Sequence, residues 1–174
     1  MGLLLLRVVV GSLFIGHGTQ KLFGWFGGGR IDGSAGFLQS MGFSRPRAWA
    51  TVNGLAEAGG GLLLALGLLT PFAAAALIGV MLVASFTAHR GKGIWNQNGG
   101  SELPLVMATS AATVAFVGPG TFSLDAAMGI VLDGALWGGI AVLLGLVSGA
   151  AVLAIRANAQ SVAEQEERQL RRAA

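Results

Sequence analysis

Seven polar side chains interrupt or border the apolar stretches of this 174-residue sequence, and their types could support chemistry inside a membrane. They comprise two histidines, one lysine, two carboxylates and two amides: His17, Gln20, Lys21, Asn53, Glu57, His89 and Glu102. Ionisable groups are costly inside a bilayer, so each one in an apolar segment is a candidate functional residue. Histidine, lysine and glutamate supply the hydrogen-bond donors and proton donors that a quinone head group or a proton-transfer site needs.

These residues fall at matching depths in the predicted helices. His17 and Lys21 are four residues apart in the first apolar segment and share a helix face, with Gln20 on the neighbouring stripe. Asn53 lies one turn before Glu57 on the same face of the second segment. Glu57 lies about ten residues, or roughly 15 Å, after the start of that segment. We therefore expect one bundle to gather five ionisable residues in one half of the membrane, with Asn53 joining them by a hydrogen bond: His17, Lys21, Glu57, His89 and Glu102.

The cluster has three interpretations. It could bind a quinone or move a proton. A buried ion pair between Lys21 and Glu57 could instead satisfy both charges and fix the register of the helices. A metal or haem site would need His17, His89 and Glu57 to converge, but they come from separate helices and form no spaced motif. We therefore assign no metal ligands and no certain cofactor, and quinone is the candidate ligand.

The composition indicates a membrane protein. Hydrophobic residues make up 53% of the chain and charged residues 11%, whereas a soluble domain has about 25% charged residues. These values exclude a soluble enzyme and a nucleic-acid binder. The 29 glycines indicate closely packed membrane helices. Because the chain has no cysteine, it can itself form no disulfide, no cysteine-ligated metal centre and no thiol relay.

Five apolar segments predict five membrane-spanning helices that position the cluster. A crossing needs about 20 mainly apolar residues, and the segments cover about 3–23, 48–69, 71–88, 103–117 and 134–155. Thr70 and Pro71 separate two of them, which predicts a helix cap, a proline in the first turn and a tight hairpin. A short interfacial helix is predicted over 33–41. The tail after Arg156 is predicted as a solvated helix or a disordered end.

The positive charges predict the orientation of the bundle. Basic residues concentrate between the first two segments, between the third and fourth, and in the tail, which five crossings place on one side. The positive-inside rule then puts the N-terminus outside and the tail in the cytoplasm of a bacterial inner (plasma) membrane. Arg7 lies near the opposite end, and we expect its side chain to snorkel to the outer interface.

Pairs of small residues four positions apart predict close helix contacts. The pairs are Gly54 and Ala58, Gly134 and Gly138, and Gly145 and Gly149. Such pairs let helix backbones approach each other. The contacts could lie within the bundle or between copies of the chain in a homo-oligomer.

Several motifs in the first 125 residues resemble those of the DoxX family of small bacterial membrane proteins, and they occur in the same order. They are HGTQKLFG (17–24), GFL (36–38), EAGGG (57–61), GLLT (67–70), FTAH (86–89), NGGSELP (98–104), GPG (118–120) and SLD (123–125). The resemblance implies a four-helix membrane core over 1–125. The chain departs from that pattern by adding a transmembrane helix over 126–156 and a charged cytoplasmic tail over 157–174.

The resemblance also implies an association with redox chemistry. The family takes its name from a subunit of a thiosulfate:quinone oxidoreductase, and other members resemble membrane partners in redox-stress complexes. We therefore expect an all-α, polytopic membrane bundle that is a subunit or anchor of a quinone-linked redox or oxidative-stress system. Its partners would be the lipid bilayer, a quinone and a redox protein. Two other functions stay open: a non-catalytic interaction or assembly protein, and a small transporter or proton-conducting protein.

Overall fold

The computed structural model describes residues 1–173, and over that range the chain is helical with no β-strand. The α-helices are α1 (Gly2–Phe23), α2 (Arg30–Ser40), α3 (Pro46–Leu66), α4 (Thr70–Phe86), α5 (Glu102–Val117), α6 (Leu124–Ala127) and α7 (Gly134–Ala173). The predicted segments agree with α1, α3, α4, α5 and the first half of α7 to within a few residues. The short helix expected over 33–41 is α2, which begins at Arg30.

The helix α4 occupies the centre of the bundle, where it packs on α3, α5 and α7. Its buried residues include Ala74, Leu77 and Ile78, which are at most 6% exposed. The helix α1 packs most extensively on α3 and also contacts α2 and α5. This arrangement leaves α1, α3, α5 and α7 with outward faces, while α4 is enclosed on three sides.

Small residues let α1 and α3 pack backbone against backbone. A Cβ atom on Gly61 would lie 2.7 Å from the carbonyl oxygen of Gly11. A Cβ atom on Gly18 would collide with the backbone of Gly54 and Ala58. Because the early part of α1 meets the late part of α3, the two helices are antiparallel. The Gly54 and Ala58 pair therefore packs α3 on α1 within the chain.

The helix α7 uses its small residues against α4 and α5. A Cβ atom on Gly145 would lie 2.7 Å from Ile78 Cβ, and one on Gly149 would lie 2.9 Å from the Gly79 carbonyl oxygen. Gly138 packs on the ring of Phe116 in α5. These small residues thus act within the chain, whereas Gly134 makes no close contact, so the predicted pair of Gly134 and Gly138 packs through Gly138 alone. The homo-oligomer stays a prediction.

The helix α7 continues well past the other helices. Its 40 residues span about 60 Å. The helix includes the segment after Arg156 and continues to Ala173. Arg156 Nε donates a 2.6 Å hydrogen bond to the Met41 carbonyl oxygen, and the guanidinium lies 5.8 Å from the centre of the Phe43 ring. These contacts fix α7 to the connection between α2 and α3.

Two of the helices, α1 and α7, are long and apolar enough to cross a membrane. The helices α4 and α5 are also apolar but have 17 and 16 residues, or about 25 Å each. The helix α3 has a sufficient length of 21 residues but is not among these candidates. Length and composition therefore leave the five crossings as a prediction.

The sequence predicts that Thr70 caps α4, but in the structure Thr70 is the first residue of that helix. The residue before the helix is Leu69, in a left-handed conformation with φ of 48°. Asp125, which is 1% exposed, accepts hydrogen bonds from Leu69 N at 2.8 Å, Thr70 N at 3.1 Å and Thr70 Oγ1 at 2.7 Å. A carboxylate 55 residues away thus caps the helix, and its negative charge suits the positive end of the helix dipole.

The prediction that Arg7 snorkels to the interface is wrong. Its side chain is 0% exposed, and Nη2 donates a hydrogen bond to the Phe122 carbonyl oxygen. The guanidinium packs against Gly67, where even a Cβ atom would collide with it. The loop that follows α5 covers Arg7, so this side chain lies inside the protein near Asp125.

Candidate functional site

A cavity of about 230 Å³ lies among α1, α3, α4 and α5, with α2 along one side. We call it the polar cavity because five of the seven predicted residues line it, namely His17, Lys21, Asn53, Glu57 and His89. The rest of the lining is mainly apolar: Phe37, Leu38, Met41, Ala50, Val80, Met81, Val83, Ala84, Ala88, Leu103, Pro104 and Met107. A mainly apolar cavity with a few convergent polar groups is typical of a small-molecule site.

An ion pair between α1 and α3 lies at the wall of this cavity. Lys21 Nζ donates to Glu57 Oε2, and the side chains are 27% and 4% exposed respectively. The predicted pairing of these charges is therefore present. A lysine ammonium has three N–H donors, and this bond uses one of them. Lys21 can thus hold Glu57 and still offer donors to a bound molecule.

His89 is oriented by the loop that follows α4. Its Nδ1 lies 2.6 Å from the Gly99 carbonyl oxygen. Since a carbonyl oxygen only accepts, Nδ1 carries the proton in this bond, which leaves Nε2 available to accept or donate a proton. His17 and Asn53 add polar groups that neither this bond nor the ion pair uses.

Two predicted residues are not part of the cavity wall. Gln20 is adjacent to Lys21, so its side chain points about 100° away around α1, and its Nε2 lies 3.4 Å from the Phe26 carbonyl oxygen. Glu102 begins α5, and its Oε2 accepts a 2.9 Å hydrogen bond from Asn96 N. Each of these side chains thus contacts the backbone of an adjacent loop. The structure therefore brings five of the seven candidate residues to one cavity and places Gln20 and Glu102 outside its lining.

The contribution of α2 was missed from the sequence. Ser34, Phe37 and Leu38 line the cavity, and Leu38 is 8% exposed. The sequence signal was the apolar Phe37–Leu38 pair in a segment otherwise rich in glycine and polar residues. The pair predicted an interfacial helix but did not indicate which surface that helix would cover.

The cavity residues do not form a metal-binding group. Among residues 1–173, no set of three or more histidine, aspartate or glutamate side chains is arranged to hold a metal ion. His17, His89 and Glu57 share a cavity without meeting that condition.

The DoxX family model matches residues 2–90, about half of the chain. The matched range covers α1 to α4 and contains His17, Lys21, Glu57 and His89. It ends before α5, Asp125 and α7. No curated protein and no solved structure matches the chain.

Proposed function

Since the chain belongs to the DoxX family, we propose that it is a polytopic membrane bundle crossing the bacterial inner membrane five times. The exposure of large apolar side chains on every outward helix supports this proposal. Leu5 of α1 is 68% exposed, Leu55 of α3 58%, Leu105 of α5 57% and Leu143 of α7 62%. Apolar surface on all sides of a bundle would favour aggregation in water, whereas lipid chains would cover it at no such cost.

The distribution of basic residues supports the proposed orientation. Lys21, Arg90 and Arg156 lie at the end of the bundle that carries the polar cavity, together with the α2 region. Arg7 lies at the other end, buried beside Asp125. The positive-inside rule would make the cavity end cytoplasmic and the N-terminus external.

We further propose that the polar cavity binds the head group of a quinone, so that the chain acts as a membrane subunit or anchor of a quinone-linked redox or oxidative-stress system. The observation that carries this proposal is the convergence of His17, Lys21, Asn53, Glu57 and His89 on one mainly apolar cavity. A quinone ring is apolar, and its two carbonyl oxygens accept hydrogen bonds. Lys21 and Asn53 would donate such bonds while apolar side chains enclose the ring.

Converting a quinone to a quinol takes two electrons and two protons. Because the chain contains no cysteine, it has no thiol pair that could donate electrons. We propose that a partner redox protein supplies them. The role of this chain would be to bind and orient the ring and to hold protons near its oxygens. His17 and the free Nε2 of His89 are the groups best suited to hold them.

Native mass spectrometry of gently solubilised protein tests the quinone proposal. We expect the wild type to retain added quinone and Glu57→Gln to lose it, because Lys21 would no longer be held at the cavity wall. Glu102→Gln is the matched control, since Glu102 lies outside the cavity, and it should retain quinone. A wild type that binds no quinone, or a Glu57→Gln variant that binds it as well as the wild type, would refute the proposal.

A non-catalytic assembly role is the second candidate, and the extended end of α7 favours it. Residues 161–173 are helical, charged and exposed along their whole length, which suits a docking segment for a partner protein. Under this interpretation, removing residues 161–174 would release the partner from the purified complex while leaving quinone content unchanged. Loss of quinone without loss of partner would contradict it.

A further inference from the structure

A second cavity, of about 240 Å³, lies beside the polar cavity between α3, α4 and α7. Its lining from α3 runs from Trp49 to Ala56, and that from α4 runs from Ala76 to Val83. On both helices the lining positions follow the spacing i, i+3, i+4 and i+7, which marks one face over two turns. The cavity is therefore an elongated slot of about 10 Å along the helices.

The walls of this second cavity are almost entirely apolar, so we call it the apolar cavity. Ser148 is one of its few polar side chains, and its hydroxyl is bonded to the Gly145 carbonyl oxygen at 3.1 Å. No charged side chain is part of its lining. The slot therefore suits a hydrocarbon chain better than a charged or strongly polar head group.

The two cavities adjoin. Leu38, Asn53, Val80 and Val83 line both of them. Asn53 is the polar residue of this set and lies one turn from Glu57 on α3. At this junction the lining changes from charged and polar on the side of the polar cavity to hydrocarbon on the other side.

We propose that the apolar cavity holds the hydrocarbon tail of the quinone whose head group binds in the polar cavity, so that the site selects tail-bearing, lipid-soluble quinones. This inference rests on the proposed quinone function and adds the substrate class. Asn53 would lie where ring and tail join. The ligand would reach the site sideways from the bilayer, between α3 and α7, without passing through water.

We expect the apolar cavity to influence quinone binding through the space that it leaves for the tail. A tail leaving the bilayer for an apolar slot gains little, because lipid chains are as apolar as the slot. The slot instead gives the tail a place to lie while the ring reaches Lys21. Filling the slot should exclude quinones that carry a tail and spare those that do not.

The test uses full-length protein in lipid nanodiscs and two probes with the same dimethoxy-methyl-benzoquinone ring, one with a decyl tail and one without. Ala56→Phe and Ala76→Phe fill the slot from opposite walls. Leu55→Phe is the matched control, because Leu55 is 58% exposed on the outward face of α3. Bound quinone is measured against protein-free nanodiscs at equal quinone content, and helicity and melting temperature verify the fold of each variant.

We expect Ala56→Phe and Ala76→Phe each to weaken binding of the decyl quinone about tenfold, because the new phenyl ring would clash with the tail. The tail-less quinone should bind within about twofold of wild type. Leu55→Phe should bind both probes normally. The inference is overturned if folded variants bind the decyl quinone like wild type, or lose both probes equally. The first result would mean that another molecule, such as a lipid chain, fills the slot. A wild type that binds neither probe would instead refute the proposed function itself.

Discussion

Removing either partner of the Lys21–Glu57 pair should destabilise the protein by unequal amounts. The partners differ in their surroundings, since Glu57 is 4% exposed and Lys21 27%. Lys21 lies near the end of α1, where a long side chain can turn its ammonium towards the interface. Glu57 lies in the middle of α3 and has no such escape.

The unequal exposure of the two side chains determines how much unfolding free energy each substitution should remove. Lys21→Met leaves a buried carboxylate without its partner, which costs about 3–5 kcal/mol. Glu57→Gln leaves an ammonium that can regain solvent, so the loss should be nearer the cost of one unsatisfied buried group, about 1–3 kcal/mol. The double variant Lys21→Met with Glu57→Gln leaves no charge behind. It should therefore cost less than the sum of the two single changes, by about 1–3 kcal/mol.

Unfolding of the purified protein in mixed micelles of increasing denaturing-detergent content measures all four free energies of unfolding. Lys92→Met is the control, because Lys92 is exposed in the loop after α4 and should stay within about 0.5 kcal/mol of wild type. The reasoning is refuted if Glu57→Gln costs more than Lys21→Met. It is also refuted if the single changes add without coupling, since the two charges would then not depend on each other.

Three further predictions concern the rest of the bundle. Asp125→Ala removes the cap of α4 and should lower the free energy of unfolding by about 2–5 kcal/mol, while exposed Asp133→Ala should change it by less than about 0.5 kcal/mol; equal effects in the same detergent titration would contradict the capping role. Gly61→Ala should cost about 1–3 kcal/mol because its methyl group would meet α1, whereas Gly59→Ala faces open space and should stabilise α3 by up to about 1 kcal/mol; melting temperatures in the reverse order would be inconsistent with the packing. A cytoplasm-dependent reporter fused after Arg172 should be active in cells, and activity of a periplasm-dependent reporter at that position would rule out the orientation proposed for five crossings.

The helices could be predicted from the sequence because each depends on local signals. The long apolar segments and the Thr70–Pro71 step act within a few residues of where they occur, and the glycine pairs mark helix faces that pack closely without identifying the partner helix. The sequence after Arg156 is compatible with a solvated helix or a disordered end, and the structure shows a helix in which Arg171 Nη2 donates a 2.6 Å hydrogen bond to Glu167 Oε1. Helix periodicity also placed His17 with Lys21 and Asn53 with Glu57, as the cavity shows.

The remaining features depend on contacts between distant parts of the chain. Nothing near Arg7 indicates that the loop around Phe122 covers it, and nothing near Thr70 indicates that Asp125 caps it. Gln20 was included because of its polar type, although its position on α1 turns it away from Lys21. Glu102 was included because of its depth, although its carboxylate bonds to the loop before it. Residue type and depth identified candidates, and only the packing separated the cavity residues from the loop-forming ones.

The capping of α4 by Asp125 has a consequence for biosynthesis. When the ribosome has made α4, the first N–H groups of that helix still lack the segment that carries Asp125, and the same segment supplies the Phe122 carbonyl oxygen to which Arg7 Nη2 donates. That segment is 55 residues downstream of Thr70, which corresponds to about 3–10 s of synthesis. Residues 2–90, the part that the family model matches, therefore do not contain the residue that caps their own last helix. We expect the start of α4 to reach its folded form only after α5 and the loop that follows it have been synthesised.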